Sequence, residues 1–175
     1  MMSTTGYGST DVALWPGVAL MALLGLMFTG GSAGSTSGSV KVARHLLMGK
    51  ILRREVDLTL HPEVVSVIRS NRTLVNEKTL RAISAFVLLY IGIFLIGVVA
   101  LAIDASATGL DLSVIEAVAA AATTLGNVGP GFGFAGPLGG FEPFGDVSTA
   151  TMIILMWMGR LELIPVLFSR HYWRA

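Results

Sequence analysis

Apolar residues run from Ala82 to Ile103, "AISAFVLLYIGIFLIGVVALAI", with no charge among them. As a helix this stretch is roughly 33 Å long, enough to cross the core of a bilayer. A second apolar stretch covers Val12 to Thr29. Trp15 suits a membrane interface and Pro16 the first turn of a helix, and the stretch is roughly 27 Å long, marginal for a span. A third runs from Val147 to Phe168 and is interrupted by Arg160 and Glu162. Between the first and third lies "LSVIEAVAAAATT", Leu112 to Thr124, patterned as a helix but too short to cross. A short apolar helix between two spans predicts a re-entrant segment. Ser113 and Glu116 have the spacing of a capping box at its start, which gives Glu116 a structural role rather than that of an ion ligand.

Two polar interruptions stand out against this pattern. Residues 30–39, "GGSAGSTSGS", follow the second apolar stretch directly, at the depth of a membrane. Backbone leaves the helix in a bilayer only where it faces protein or a watery cavity. Gly30, Gly31, Gly34 and Gly38 permit such a break, and Ser32, Ser35, Thr36, Ser37 and Ser39 can hydrogen-bond the freed backbone. A phosphate cradle does not fit, because the run lacks a GK[ST] ending and a preceding strand. A plain linker between a short span and a cytoplasmic helix stays open. The second interruption is "TTLGNVGPGFGFAGP", after the re-entrant helix. A re-entrant helix with a Gly-rich extended return is the plan of an ion filter, in which backbone carbonyls replace a cation's hydration shell. The partially negative end of the preceding helix favours a cation there too. An external turn is the bland alternative. The first residues, "STTGYGSTD", look like a second such return. Thr4, Thr5, Gly6 and Tyr7 precede one span as Thr124, Leu125, Gly126 and Asn127 precede another, so the chain carries an internal repeat.

Composition agrees with lipid as the main solvent. The 175 residues are 53% hydrophobic and 13% charged, against about 25% charged in soluble domains. The net charge of +1 gives no reason to expect nucleic acid, and the absence of cysteine rules out disulfides and thiolate metal sites. His45, His61 and His171 are too scattered in sequence to suggest a metal site. The opening "MMSTTGYGSTD" lacks the basic start and apolar run of a signal peptide. Nine of the twelve Lys and Arg residues fall between Lys41 and Arg81, and none between Asp104 and Asp146, where five acids sit. The positive-inside rule then puts 41–81 and the C-terminus in the cytoplasm and 104–146 outside. "VKVARHLLMGKILRRE" reads as a cytoplasmic helix. Arg160, roughly 15 Å from the basic end at Arg170, is costly at that depth unless it faces a bundle interior or water, or snorkels.

These motifs resemble the Trk/Ktr/HKT family of potassium-transport membrane subunits, in which four helix–pore-loop–helix repeats surround one pore. "STTGYG", "GGSAGSTSGSVKVAR", "TTLGNVGPGFG" and "GRLELIPVLF…YWR" match in order the third filter, the interrupted third inner helix, the fourth filter and the final inner helix. The resemblance implies an all-α membrane protein truncated at its N-terminus. Residues 1–57 would be a partial third repeat, 58–81 a cytoplasmic linker and 82–175 the fourth repeat. It implies K⁺ uptake at the plasma membrane, not enzymatic catalysis, with no bound cofactor. Coupling to Na⁺ or H⁺ is left open. Thr5, Gly6, Tyr7, Thr124, Leu125, Gly126 and Asn127 would form the filter, binding K⁺ through backbone carbonyls only. Gly30, Gly31, Gly34, Ser35, Gly38 and Arg160 would form an intramembrane gate. The implied partners are other membrane repeats, a second copy in a dimer, and a cytosolic nucleotide-binding regulatory subunit, which the basic 41–81 segment would face. A non-conducting chain that only associates with full-length subunits is the alternative, as is a membrane anchor with no pore, against which the filter glycines speak.

Overall fold

The computed structural model describes Thr4, Gly6, residues 12–32, 38–61, Glu63, 68–70 and 73–160. Five helices carry the fold: α1 (Gly17–Thr29), α2 (Val42–Leu60), α3 (Glu77–Thr108), α4 (Val114–Gly126) and α5 (Asp146–Arg160). The only strands among the described residues, β1 (Arg69–Ser70) and β2 (Thr73–Leu74), pair antiparallel between α2 and α3.

α3 is the one helix among the described residues long and apolar enough to cross a membrane. It starts five residues before the uncharged run, where the Asn76 side chain accepts from the Lys78 amide at 3.1 Å, and ends at Gly109, whose φ of 72° closes the last turn. One face buries Phe86, Tyr90, Leu101 and Ala105. The other leaves Leu88, Leu95, Ile96 and Val99 exposed, an apolar surface suited to lipid. α1 corrects the expected second span. Only its 13 residues are α-helical, roughly 20 Å, because Val12–Leu14 form a separate 3₁₀ turn and Pro16 resets the chain just before Gly17.

α4 lies at the centre. Its capping box forms as the spacing predicts: the Ser113 Oγ accepts from the Glu116 amide at 3.3 Å, and Glu116 Oε2 accepts from the Ser113 amide at 3.0 Å. The run Ala119–Ala122 makes α4 slender enough to be buried on every side from Ala119 to Gly126, while Val114 and Ile115 in its first turn stay exposed. Three apolar clusters surround it. Met27, Val12, Val128 and Phe132 pack on Ala119 and Ala122. Leu101, Phe144 and Met152 pack on Ala120 and Ala121. Val40, Phe86, Tyr90 and Leu155 gather round Leu125. Phe28 joins α1 to α3 by an edge-on contact with Phe94, centroids 4.9 Å apart.

α2 buries no residue and leans on α3 by polar contacts. Arg44 stacks over the Phe86 ring at 4.2 Å, and Arg54 pairs with Glu77 at the start of α3. Glu77, and then Glu55, hold the Arg54 guanidinium above its ordinary pKa, so it stays charged at any working pH.

At the opposite end of α3, Asp104 reaches across to the first turn of α5. Its Oδ2 accepts from the Ser148 amide at 3.1 Å and from the Ser148 hydroxyl at 2.5 Å. Ser148 is 1% exposed, so no water replaces this carboxylate. Asp104→Ala is expected to destabilise the chain by about 1–3 kcal/mol, the cost of leaving a buried donor unpaired. Asp104→Asn, which keeps an acceptor, is expected to lose less. Thermal unfolding of the detergent-solubilised protein checks the order.

Candidate functional site

The end of α4 is where four separate parts of the chain meet. α4 runs two residues beyond the expected Thr124, so Leu125 and Gly126 complete a helix instead of opening an extended return. Asn127 then turns the chain, in the left-handed region at φ 50°, ψ 42°. The turn is closed by the Val128 amide on the Thr123 carbonyl at 3.0 Å and by the Thr123 hydroxyl on the Gly129 carbonyl at 2.6 Å. Thr124 spends its hydroxyl within the helix, on the Ala120 carbonyl at 2.7 Å.

On one side, the return meets Gly6. Gly6 has φ +83° and Gly129 φ +109°, both in the region that a side chain disfavours. A Cβ on Gly129 would stand 2.6 Å from the Gly6 Cα, so the two backbones touch because Gly129 has no side chain. The Val128 carbonyl lies beside the same contact, 3.9 Å from where a Gly6 Cβ would be.

On the other side, two glycines cover the last carbonyls of α4. A Cβ on Gly38 would strike the Gly126 carbonyl, standing 2.9 Å from its carbon, and would come 3.3 Å from the Asn127 Cβ. A Cβ on Gly159 would strike the Leu125 carbonyl and stand 3.0 Å from the Asn127 Nδ2. The Asn127 amide donates to the Met156 carbonyl of α5 at 3.0 Å. The Leu125 and Gly126 carbonyls thus face Gly159 and Gly38, while the carbonyl beside Gly6 belongs to Val128.

The Gly/Ser segment departs from α1 at Gly30, φ +65°, and returns beside its own start. The Val42 amide donates to the Gly31 carbonyl at 3.2 Å. Ser39, at φ +73° and buried, directs its hydroxyl at the Met27 and Phe28 carbonyls, 2.6 and 3.0 Å away, the orphan acceptors at the end of α1. Gly30 and Gly38 are buried, Gly31 half-buried. Arg160 is exposed in the last described turn of α5, one residue past Gly159. Thr5, Tyr7, Gly34 and Ser35 lie outside the described residues. Among the described residues no three His, Asp or Glu side chains gather as a metal site.

Sequence reading named Ser39 as one of five hydroxyls able to bond freed backbone, which it does, and left out Gly129 and Gly159. Gly129 had a signal: the pair Thr5–Gly6 aligns as well with Val128–Gly129 as with Leu125–Gly126. Gly159 had none, since its role depends on which backbones meet.

The TrkH family model, described as a cation transport protein, matches residues 1–173. The Trk system potassium uptake protein TrkI of Halomonas elongata is 36% identical over 99% of this chain. TrkH of Escherichia coli K12, also a Trk system potassium uptake protein, is 35% identical over 99% of the chain. The chain spans 35% of the length of each, about a third. The crystal structure of the potassium transporter TrkH from Vibrio parahaemolyticus superposes with a TM-score of 0.81 at 33% identity, covering 96% of this chain and 34% of that one. The buried re-entrant α4, the lipid-suited face of α3 and a family match over nearly every residue agree: this is an all-α membrane protein, and the chain belongs to the TrkH family of cation transport proteins.

Proposed function

We propose that the chain forms part of a K⁺-uptake pore, with the backbone at Thr5–Gly6 and Val128–Gly129 lining the ion's path. The observation that carries this reading is the contact between Gly6 and Gly129, both at positive φ, at the end of buried α4. That end bears the partially negative pole of the helix, which favours a cation. Backbone carbonyls suit K⁺, and the relatives at 36% and 35% identity are potassium uptake proteins.

In the same reading, residues 30–39 with Arg160 form the gate. Gly38 packs against the Gly126 carbonyl at the α4 end and Gly30 packs against Gly38 and Ser39, just before Lys41 begins the basic segment. Arg160 adds a positive charge near a cation's route, as a barrier or as a hold on loop carbonyls. Charge placement supports a plasma-membrane protein with 41–81 and the C-terminus in the cytoplasm; the family resemblance adds a dimeric assembly and a cytosolic nucleotide-binding regulatory subunit, which the basic 41–81 segment would meet.

Uptake of K⁺ and Na⁺ by the complete transport assembly, in cells lacking their own K⁺ uptake, tests the filter. Gly129→Ala is expected to lower K⁺ uptake or its preference over Na⁺ by ~10-fold or more, since the added Cβ strains φ and strikes Gly6. Gly126→Ala is expected to do much less. Its Cβ stands 3.1 Å from the Val128 Cγ2 and at ordinary contact distance from the Met27 carbonyl and Ser39 Cβ, 3.7 and 3.9 Å, so it strikes no backbone, and Gly126 holds no positive φ to strain. The reverse order would return the filter to Leu125–Asn127, and parental behaviour in both would remove it from this loop.

The gate has its own measurement. Arg160→Ala is expected to raise ion flux and to weaken control by the regulatory subunit. Parental flux with a normal response would make Arg160 a structural residue only.

A further inference from the structure

The turn at Asn127 needs a residue that tolerates the left-handed region, and glycine meets that need at least as well as asparagine. The backbone therefore does not explain why this residue carries an amide. The amide has a use of its own: it crosses 29 positions of sequence to the Met156 carbonyl, 3.0 Å away. The crossing is short because Gly159, one turn along α5, brings the helix backbone against the Leu125 carbonyl. Asn127 is also fixed on its own side, where its amide N–H bonds to the Thr123 and Thr124 carbonyls. The next two residues are Val128 and Gly129, which face Gly6.

We propose that Asn127 is a positioning residue for ion selection: its side-chain amide ties the turn that presents Val128–Gly129 to α5 and so fixes where that backbone stands relative to Gly6. Asn127 touches no ion in this role. The proposal rests on the filter reading at Val128–Gly129. α5 is the natural anchor, since its far end is held by Asp104 of α3 through Ser148. The turn is thus set against a helix whose other end is fixed outside the filter.

Competition between K⁺ and Na⁺ uptake, at matched membrane levels of the complete assembly, tests this. Asn127→Gly keeps the left-handed turn and removes the amide. It is expected to lower the K⁺-over-Na⁺ ratio about fivefold, the effect of one hydrogen bond, with little change in total uptake. Asn127→Asp keeps the shape and the tolerance of this turn but sets an acceptor against the Met156 carbonyl. It is expected to lower the ratio at least as far. A parental ratio in Asn127→Gly overturns the proposal, and so does a change confined to Asn127→Asp, which would report charge alone. Where Asn127→Gly does not accumulate in the membrane, Asn127→Asp is read by itself, and a parental ratio overturns the proposal. Failure of both to accumulate overturns it as well, since Asn127 would then serve folding. Gly129→Ala beside them separates the two ideas. If it changes selectivity and the Asn127 variants do not, only the tether fails. If it leaves both uptake and selectivity parental, the filter reading fails.

Discussion

A helix that ends inside a bilayer leaves carbonyl groups that no water can satisfy. α4 ends in this way, completely buried over Thr123–Gly126. The rest of the fold is arranged around that end. Its neighbours must come within backbone distance, and a side chain on either would prevent it. Gly38 and Gly159 supply the two side-chain-free surfaces, and Asn127 supplies the turn that leads the chain away. The end of α1 meets the same constraint by another route, with the Ser39 hydroxyl directed at the Met27 and Phe28 carbonyls.

Glycines here do two physically different jobs. Gly6 and Gly129 hold positive φ, so the requirement at both is conformational, and at Gly129 it is steric too. Gly38 and Gly159 lie outside that region, and their requirement is steric alone: space for another backbone. The distinction matters for the filter. The conformational pair lies where two loops face each other, whereas the steric pair lies where packing is tight. Gly126, inside the helix, has neither requirement: it holds no positive φ, and a Cβ there would meet the Val128 side chain first, at 3.1 Å, with the nearest backbone atom of another segment at 3.7 Å.

Much of this was legible in the sequence where local chemistry decides. The uncharged run 82–103 marked α3, and the spacing of Ser113 and Glu116 marked the start of α4 with its capping box. The basic stretch after Lys41 reads as a helix and is one. The end of α4 was misplaced by two residues, because nothing local stops a helix at Thr124 and the first residue to adopt the left-handed turn is Asn127. α1 was drawn too long, since the apolar pattern passes through Pro16 while the backbone does not. Ser39 looked like one hydroxyl among five. Its position beside the α1 carbonyls depends on the segment returning to Gly31, a contact that no window of sequence contains.

α5 is held at two separated points, and this gives its position a mechanical meaning. Near its start, Asp104 binds Ser148. Near its described end, Asn127 binds Met156 and Gly159 abuts Leu125. Between them Leu155 lies over Gly97 of α3, close enough that a Cβ there would stand 2.8 Å from Leu155 Cδ1. A helix held this way tilts about its fixed outer end more readily than it slides, because sliding must break every contact at once. Tilting moves the Met156–Arg160 turn most. That turn touches the end of α4 directly and, through Asn127, the backbone at Val128–Gly129. A shift at Arg160 therefore acts on the Val128–Gly129 backbone and on Gly38 through one set of contacts at the α4 end, with no further element needed to join them.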